Sequence, residues 1–65
     1  MNKPLTDREI QVLKLIVLGM SNTEIADELA ISVHTAKKHV SSLLEKMSVD
    51  DRVQVAVKAV RNGLL

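Results

Sequence analysis

Between Ser32 and Met47 the chain gathers both of its histidines, His34 and His39, three lysines, Lys37, Lys38 and Lys46, and the hydroxyls of Ser32, Thr35, Ser41 and Ser42. Three chemistries use such groups. Metal binding is a poor fit, because His34 and His39 lie five residues apart, about 140° around a helix, and cannot share an ion. Nucleophilic or acid–base catalysis fits no better: there is no cysteine, no glycine-rich phosphate loop, and the nearby carboxylates are accounted for as helix caps. The third chemistry is donation to an anion or to base edges. A lysine ammonium suits phosphate oxygens and guanine O6 and N7, and a serine hydroxyl suits several base edges. The expectation is a binding protein and not an enzyme, with no metal, no cofactor and no small-molecule substrate.

Helices must position these groups, and their starts are written in local motifs. Thr6-Asp7-Arg8-Glu9 reads as a capping box, with Leu5 and Ile10 as its hydrophobic staple. Ile10, Leu13, Ile16, Val17 and Met20 recur at helical spacing, and Gly19 supplies a left-handed stop, which predicts a first helix over about 7–18. Ser21-Asn22-Thr23-Glu24 repeats the box, with Met20 and Ile25 as staple, and opens a short helix carrying Ile25, Ala26 and Leu29 to about Ala30. Ser32 caps a third helix over about 33–47, with Ala36, Val40, Leu43, Leu44 and Met47 inward. Asp50 or Asp51 caps a fourth over about 52–62, stopped by Gly63. The fold class is all-α: one domain over 1–65, with residues 1–4 as a linker or tail. Helices 2 and 3 are joined so tightly that they must cross sharply, with Ala26 and Ala36 small enough to allow it. That is a helix-turn-helix.

Charge is segregated along these elements. The net charge of the 65 residues is only +1, yet residues 21–31 carry −3 and residues 32–47 carry +2. Acids suit helix N-termini. Helices 1, 2 and 4 comply through Asp7 and Glu9, Glu24, and Asp50 and Asp51. Helix 3 reverses the order, with His34, Lys37 and Lys38 in its early turns and no acid. For a helix that meets a polyanion with its N-terminus, this adds to a field already aimed at phosphate. On a helical wheel His34, Lys37, Lys38, Ser41, Ser42 and Glu45 lie opposite the apolar stripe.

Bulk composition narrows the partner. No Phe, Tyr or Trp is present, which argues against modules that stack single-stranded bases on aromatic rings and leaves duplex DNA open. The absence of cysteine suits a reducing compartment, and no apolar run reaches the roughly 20 residues of a bilayer span. A cytoplasmic protein without membrane contact is the expectation. Helix 4 has more apolar surface than a small core needs. Val53, Ala56, Val57 and Val60 form one stripe, Val55 and Ala59 another flank, so one side packs inward and the other suits a symmetric dimer. For Arg52, near Asp50 and Asp51, a local ion pair holding the turn is an equal alternative to a functional role.

The ordered set Leu5-Thr6-Asp7-Arg8-Glu9, Val12-Leu13, Gly19 to Ala26, Leu29-Ala30-Ile31-Ser32, Thr35-Ala36-Lys37-Lys38-His39, Lys46-Met47, Arg52 and Gly63-Leu64-Leu65 resembles the LuxR/NarL/FixJ-type (GerE-like) helix-turn-helix domain of bacterial transcription regulators. The resemblance covers Leu5 to Leu65. It implies a four-helix domain whose third helix enters the major groove, with Lys37, Lys38 and Ser41 at base-reading positions. Thr23, Ser32, Thr35, His39 and Lys46 match positions that contact or flank phosphate, and His34 joins them by its place on the charged face. It also implies a homodimer on double-stranded DNA, and a place as the C-terminal output domain of a longer response regulator in preference to a complete GerE-like chain.

This sequence departs from the family at Ala36, commonly Val, at Ser41, Lys in some members, and at Lys38, apolar in several. These changes bear on which bases are preferred. The expected function is sequence-specific DNA binding for transcription regulation in a two-component system, with RNA polymerase as a further candidate partner. Two alternatives remain: a promoter-recognition module of sigma-factor type, and a protein-interaction or dimerisation domain.

Overall fold

Four helices account for the architecture: α1 (Asp7–Val17), α2 (Asn22–Leu29), α3 (Val33–Met47) and α4 (Arg52–Arg61). The computed structural model describes residues 4–63; residues 1–3 of the expected 1–4 tail and the closing Leu64-Leu65 lie outside them. Both capping boxes form as expected. Thr6 Oγ1 accepts the Glu9 amide at 3.1 Å while Glu9 Oε1 accepts the Thr6 amide at 2.9 Å. Ser21 and Glu24 repeat the exchange at 3.2 and 2.8 Å. Ser32 caps α3 through the Thr35 amide, and Asp51, not Asp50, caps α4 through the Gln54 amide.

The exits follow one pattern that the sequence signals only in part. At Gly19 (φ 85°) the chain turns left-handed and the Met20 amide reaches back to the Leu15 carbonyl. The same closure ends α2 and α3, where the Ile31 amide bonds to the Ala26 carbonyl and the Val49 amide to the Leu44 carbonyl. There the left-handed residues are Ala30 (φ 55°) and Ser48 (φ 56°), which carry the Cβ penalty that glycine avoids.

α1 and α3 each pack on all three other helices, whereas α2 and α4 meet only through side chains at their starts. The core is Val12, Leu13 and Ile16 of α1, Ile25 and Ala26 of α2, Ala36, Val40, Leu43 and Met47 of α3, and Val55 and Ala59 of α4. Val12 is fully buried while Ile10 and Val17 are half-buried, so the inner face of α1 is rotated from the expected stripe. Ala26 and Ala36 are both buried, as a close α2–α3 crossing requires. On α4 the valines divide: Val55 is enclosed, while Val53, Val57 and Val60 are 68, 49 and 67% exposed.

Directed polar bonds tie the perimeter of this core. Glu9 is the one buried charged residue among the described residues. Its Oε1 accepts from Lys46 Nζ at 2.7 Å and its Oε2 from Ser42 Oγ at 2.7 Å, so a carboxylate on α1 holds two successive turns of α3. Lys46 Nζ also reaches the Pro4 carbonyl at 3.3 Å. Ser42, expected on the solvent face, is therefore half-buried, and Glu9 is more than a cap. Arg52 corrects a second expectation. Its guanidinium bypasses Asp50 and Asp51 and donates to Asn22 Oδ1 (2.9 Å) and the Met20 carbonyl (2.7 Å), joining α4 to the α1–α2 turn. Lys58 Nζ donates to the Met47 carbonyl at 2.6 Å, placing a cation on the negative end of α3.

Burial alone pushes the Glu9 carboxyl up. The hydrogen bonds from Lys46, the Thr6 backbone and Ser42, with the Lys46 charge, outweigh it and hold the pKa at about 2, below its ordinary 4.5. Stabilisation from this depressed carboxylate is fully present above pH 4.5 and is lost as pH falls towards 2, on the order of 3 kcal/mol in all. Chemical denaturation at pH 7, 4 and 2.5 is expected to show Glu9→Gln less stable at pH 7 and less sensitive to acid than the parent. Parallel acid limbs would contradict this role. Ala30→Gly and Ser48→Gly are each expected to raise stability by about 0.5–1 kcal/mol, as relief of left-handed strain exceeds the added unfolded-state entropy. A lowered denaturation midpoint would count against it.

Candidate nucleic-acid interface

The exposed side of α3 begins with its cap. Ser32 Oγ accepts the Thr35 amide at 3.0 Å and donates to Thr35 Oγ1 at 2.9 Å, which fixes both hydroxyls at the front of the helix. The first turn contains no acid. Helical spacing then sets the outer face, because residues three and four apart stand side by side. His34, Lys37, Lys38, Ser41, Ser42 and Glu45 line one shallow open groove. These are the six residues that the helical wheel places together. His34, Lys37, Lys38, Ser41 and Glu45 are exposed, while Ser42 is half-buried at the base of the groove, held by Glu9.

The electrostatics follow from what the cations touch. Among the described residues the one ion pair is Lys46–Glu9, and no carboxylate is paired with Lys37 or Lys38. Two ammonium groups thus stand towards the positive end of the α3 dipole, neither of them in an ion pair among the described residues. Lys46 differs. Its side chain is 20% exposed and its ammonium bonds to Glu9 and Pro4, so the structure turns this expected phosphate contact inward.

The remaining expected residues are spread more widely. Thr23 is exposed in the first turn of α2, next to Glu24, whose pKa is lowered by the Ser21 backbone and hydroxyl bonds. Thr35 and His39 are half-buried. Val33, which sequence reasoning passed over, is a 38% exposed valine at the first position of α3, one helical turn before Lys37. On α4, Val57 joins Val49, Gln54, Lys58, Arg61 and Asn62 around a second groove, and Val53 and Ala56 line a third beside Ile16, Gly19, Met20 and Arg52. The α4 stripe is therefore separate from the α3 face. Among the described residues no acidic, histidine or cysteine cluster could hold a metal ion, and no helix is long and apolar enough to cross a membrane.

This geometry has known counterparts. The family model for bacterial regulatory proteins of the luxR family, GerE, matches residues 3–59. The chain is 45% identical over 64 residues to the transcriptional regulatory protein LiaR of Bacillus subtilis (strain 168), covering 98% of this chain and 30% of that protein. It is 49% identical over 59 residues to the transcriptional regulatory protein DegU of Brevibacillus brevis, covering 91% of this chain and 25% of that one. The crystal structure of the response regulator ChrA of a heme-sensing two-component system superposes with a TM-score of 0.92 at 32% identity, over 100% of this chain and 32% of ChrA. The chain thus spans about a third or less of these relatives. A family match over nearly the whole chain, on the fold that the helix caps foretell, makes this chain a member of the luxR family of bacterial regulatory proteins, carrying its four-helix helix-turn-helix domain.

Proposed function

We propose that this domain binds double-stranded DNA in a sequence-selective way to regulate transcription, with α3 in the major groove and α2 bracing it across the backbone. The observation that carries the reading is the exposed front of α3, where His34, Lys37, Lys38 and Ser41 share one face without an acid in the first turn or a carboxylate paired to either lysine. In a helix built only for stability this ordering is unfavourable by a few tenths of a kcal/mol. Against a polyanion it becomes a source of affinity.

Within this reading Lys37, Lys38 and Ser41 contact base edges. Thr23, Ser32, His34, Thr35 and His39 lie towards phosphates, with the amides of the first α3 turn helping to hold them. Lys46, held by Glu9 and the Pro4 carbonyl, stays out of the phosphate contacts and acts on this face from behind the helix. The exposed valines of α4, with Ala56, form the surface through which two copies meet on a two-fold site. The names of the relatives support regulation under a two-component signal, and RNA polymerase is the natural further partner of a promoter-bound regulator.

Binding of a duplex selected from a randomised library tests both surfaces. Lys37→Ala is expected to weaken binding by roughly 1–3 kcal/mol and to relax the preference at one base position. Equal loss on every duplex would reduce Lys37 to a phosphate contact. Val57→Asp is expected to leave half-site binding intact and to abolish cooperativity on a two-fold site. Retained cooperativity in a folded variant would remove α4 from the proposal.

A further inference from the structure

α3 meets its neighbours largely through aliphatic side chains, and the attraction between such surfaces has no direction. Close packing limits the rotation of α3 about its axis, and directed bonds set it more finely. Rotation matters to a reading helix. At about 6 Å from the axis, 10° moves a side-chain atom by roughly 1 Å, enough to spoil a base-edge hydrogen bond. The bonds that oppose such rotation are few. Ser42 Oγ to Glu9 Oε2 and Lys46 Nζ to Glu9 Oε1, both 2.7 Å, leave α3 from successive turns and end on one carboxylate. That carboxylate is itself fixed by the Thr6 amide at 2.9 Å. Ser42 also lines the groove that holds Lys37, Lys38 and Ser41. The base of the candidate reading face is thus bonded directly to the buried anion of α1.

We infer that Glu9, Ser42 and Lys46 are positioning residues for DNA reading, fixing the rotation of α3 so that Lys37, Lys38 and Ser41 meet the base edges in register. The inference rests on the DNA-binding reading above and adds selectivity to it: the three residues act through α3, without touching the duplex. Because Lys46 also holds the Pro4 carbonyl, the same unit fixes the point where the chain enters the domain.

The test uses the duplex that the unmodified chain selects from a randomised library, and a scrambled duplex of the same length. Affinities for both are measured at two salt concentrations for the parent, Ser42→Ala, Ser42→Thr and Lys46→Met. Circular dichroism confirms that each variant is fully folded at the temperature used. The ratio of selected to scrambled affinity is expected to fall at least fivefold in Ser42→Ala and Lys46→Met, with the salt dependence unchanged. Ser42→Thr, which keeps the hydroxyl, is expected to stay within twofold of the parent. A merely stabilising contact does not move this ratio in a folded protein, so an unchanged ratio in Ser42→Ala overturns the inference while DNA binding stands. Equal weakening on both duplexes by Lys46→Met, with the salt slope reduced by about one, makes Lys46 a phosphate ligand and also overturns it. If Lys46→Met does not fold, Ser42→Ala against Ser42→Thr decides alone. Failure of the unmodified chain to bind any duplex removes the DNA reading, and this inference with it.

Discussion

A carboxylate buried in a domain this small is expensive unless both of its oxygens are hydrogen-bonded. Glu9 meets that condition with donors from three places: its own cap at Thr6, and Ser42 and Lys46 on α3. Much else depends on the arrangement. It fixes where α1 begins and ties α1 to the central helix, and through Lys46 it holds the chain at Pro4. Without aromatic side chains, the core is made of aliphatic side chains and Met47, whose mutual attraction has no direction. Directed bonds at its edge supply the angular definition that such packing lacks. Arg52 on the α1–α2 turn and Lys58 on the α3 end carbonyl do for α4 what Glu9 does for α3.

Seen this way, the lysines of α3 have divided duties. The rear one, Lys46, sits where a cation suits the helix dipole and is claimed by an internal anion. The front pair, Lys37 and Lys38, sits where a cation is unfavourable and has no internal anion. The first arrangement lowers the energy of the folded chain by itself. The second does so only when an outside anion arrives, which is why the front of α3 carries the functional reading.

Legibility from sequence tracks contact distance along the chain. The caps at Thr6, Ser21, Ser32 and Asp51 join residues three apart; the first three were readable from the spacing of their own motifs, and the fourth was narrowed to Asp50 or Asp51. The bonds of Ser42 and Lys46 to Glu9 and of Arg52 to Asn22 join residues 30 or more apart, and only the packed helices bring them together. Hence the helical wheel placed Ser42 on the open face, although its neighbour on that side is α1. Ala30 and Ser48 were silent for another reason: they take a backbone conformation usually announced by glycine, and the helix ends close there by the same backbone bonds. The outer face of α3 was legible because exposed residues there answer only to helical periodicity.

The central claim is that the exposed front of α3 meets duplex DNA. An amide-resolved NMR titration of the chain with mixed-sequence duplex, at two salt concentrations, tests it most directly. The account predicts shifts centred on His34 to Ser42 that fade as salt is added. An α3 front that stays unperturbed at low salt, with changes confined to the Val53, Val57 and Val60 face of α4, would contradict it and make the domain an association module.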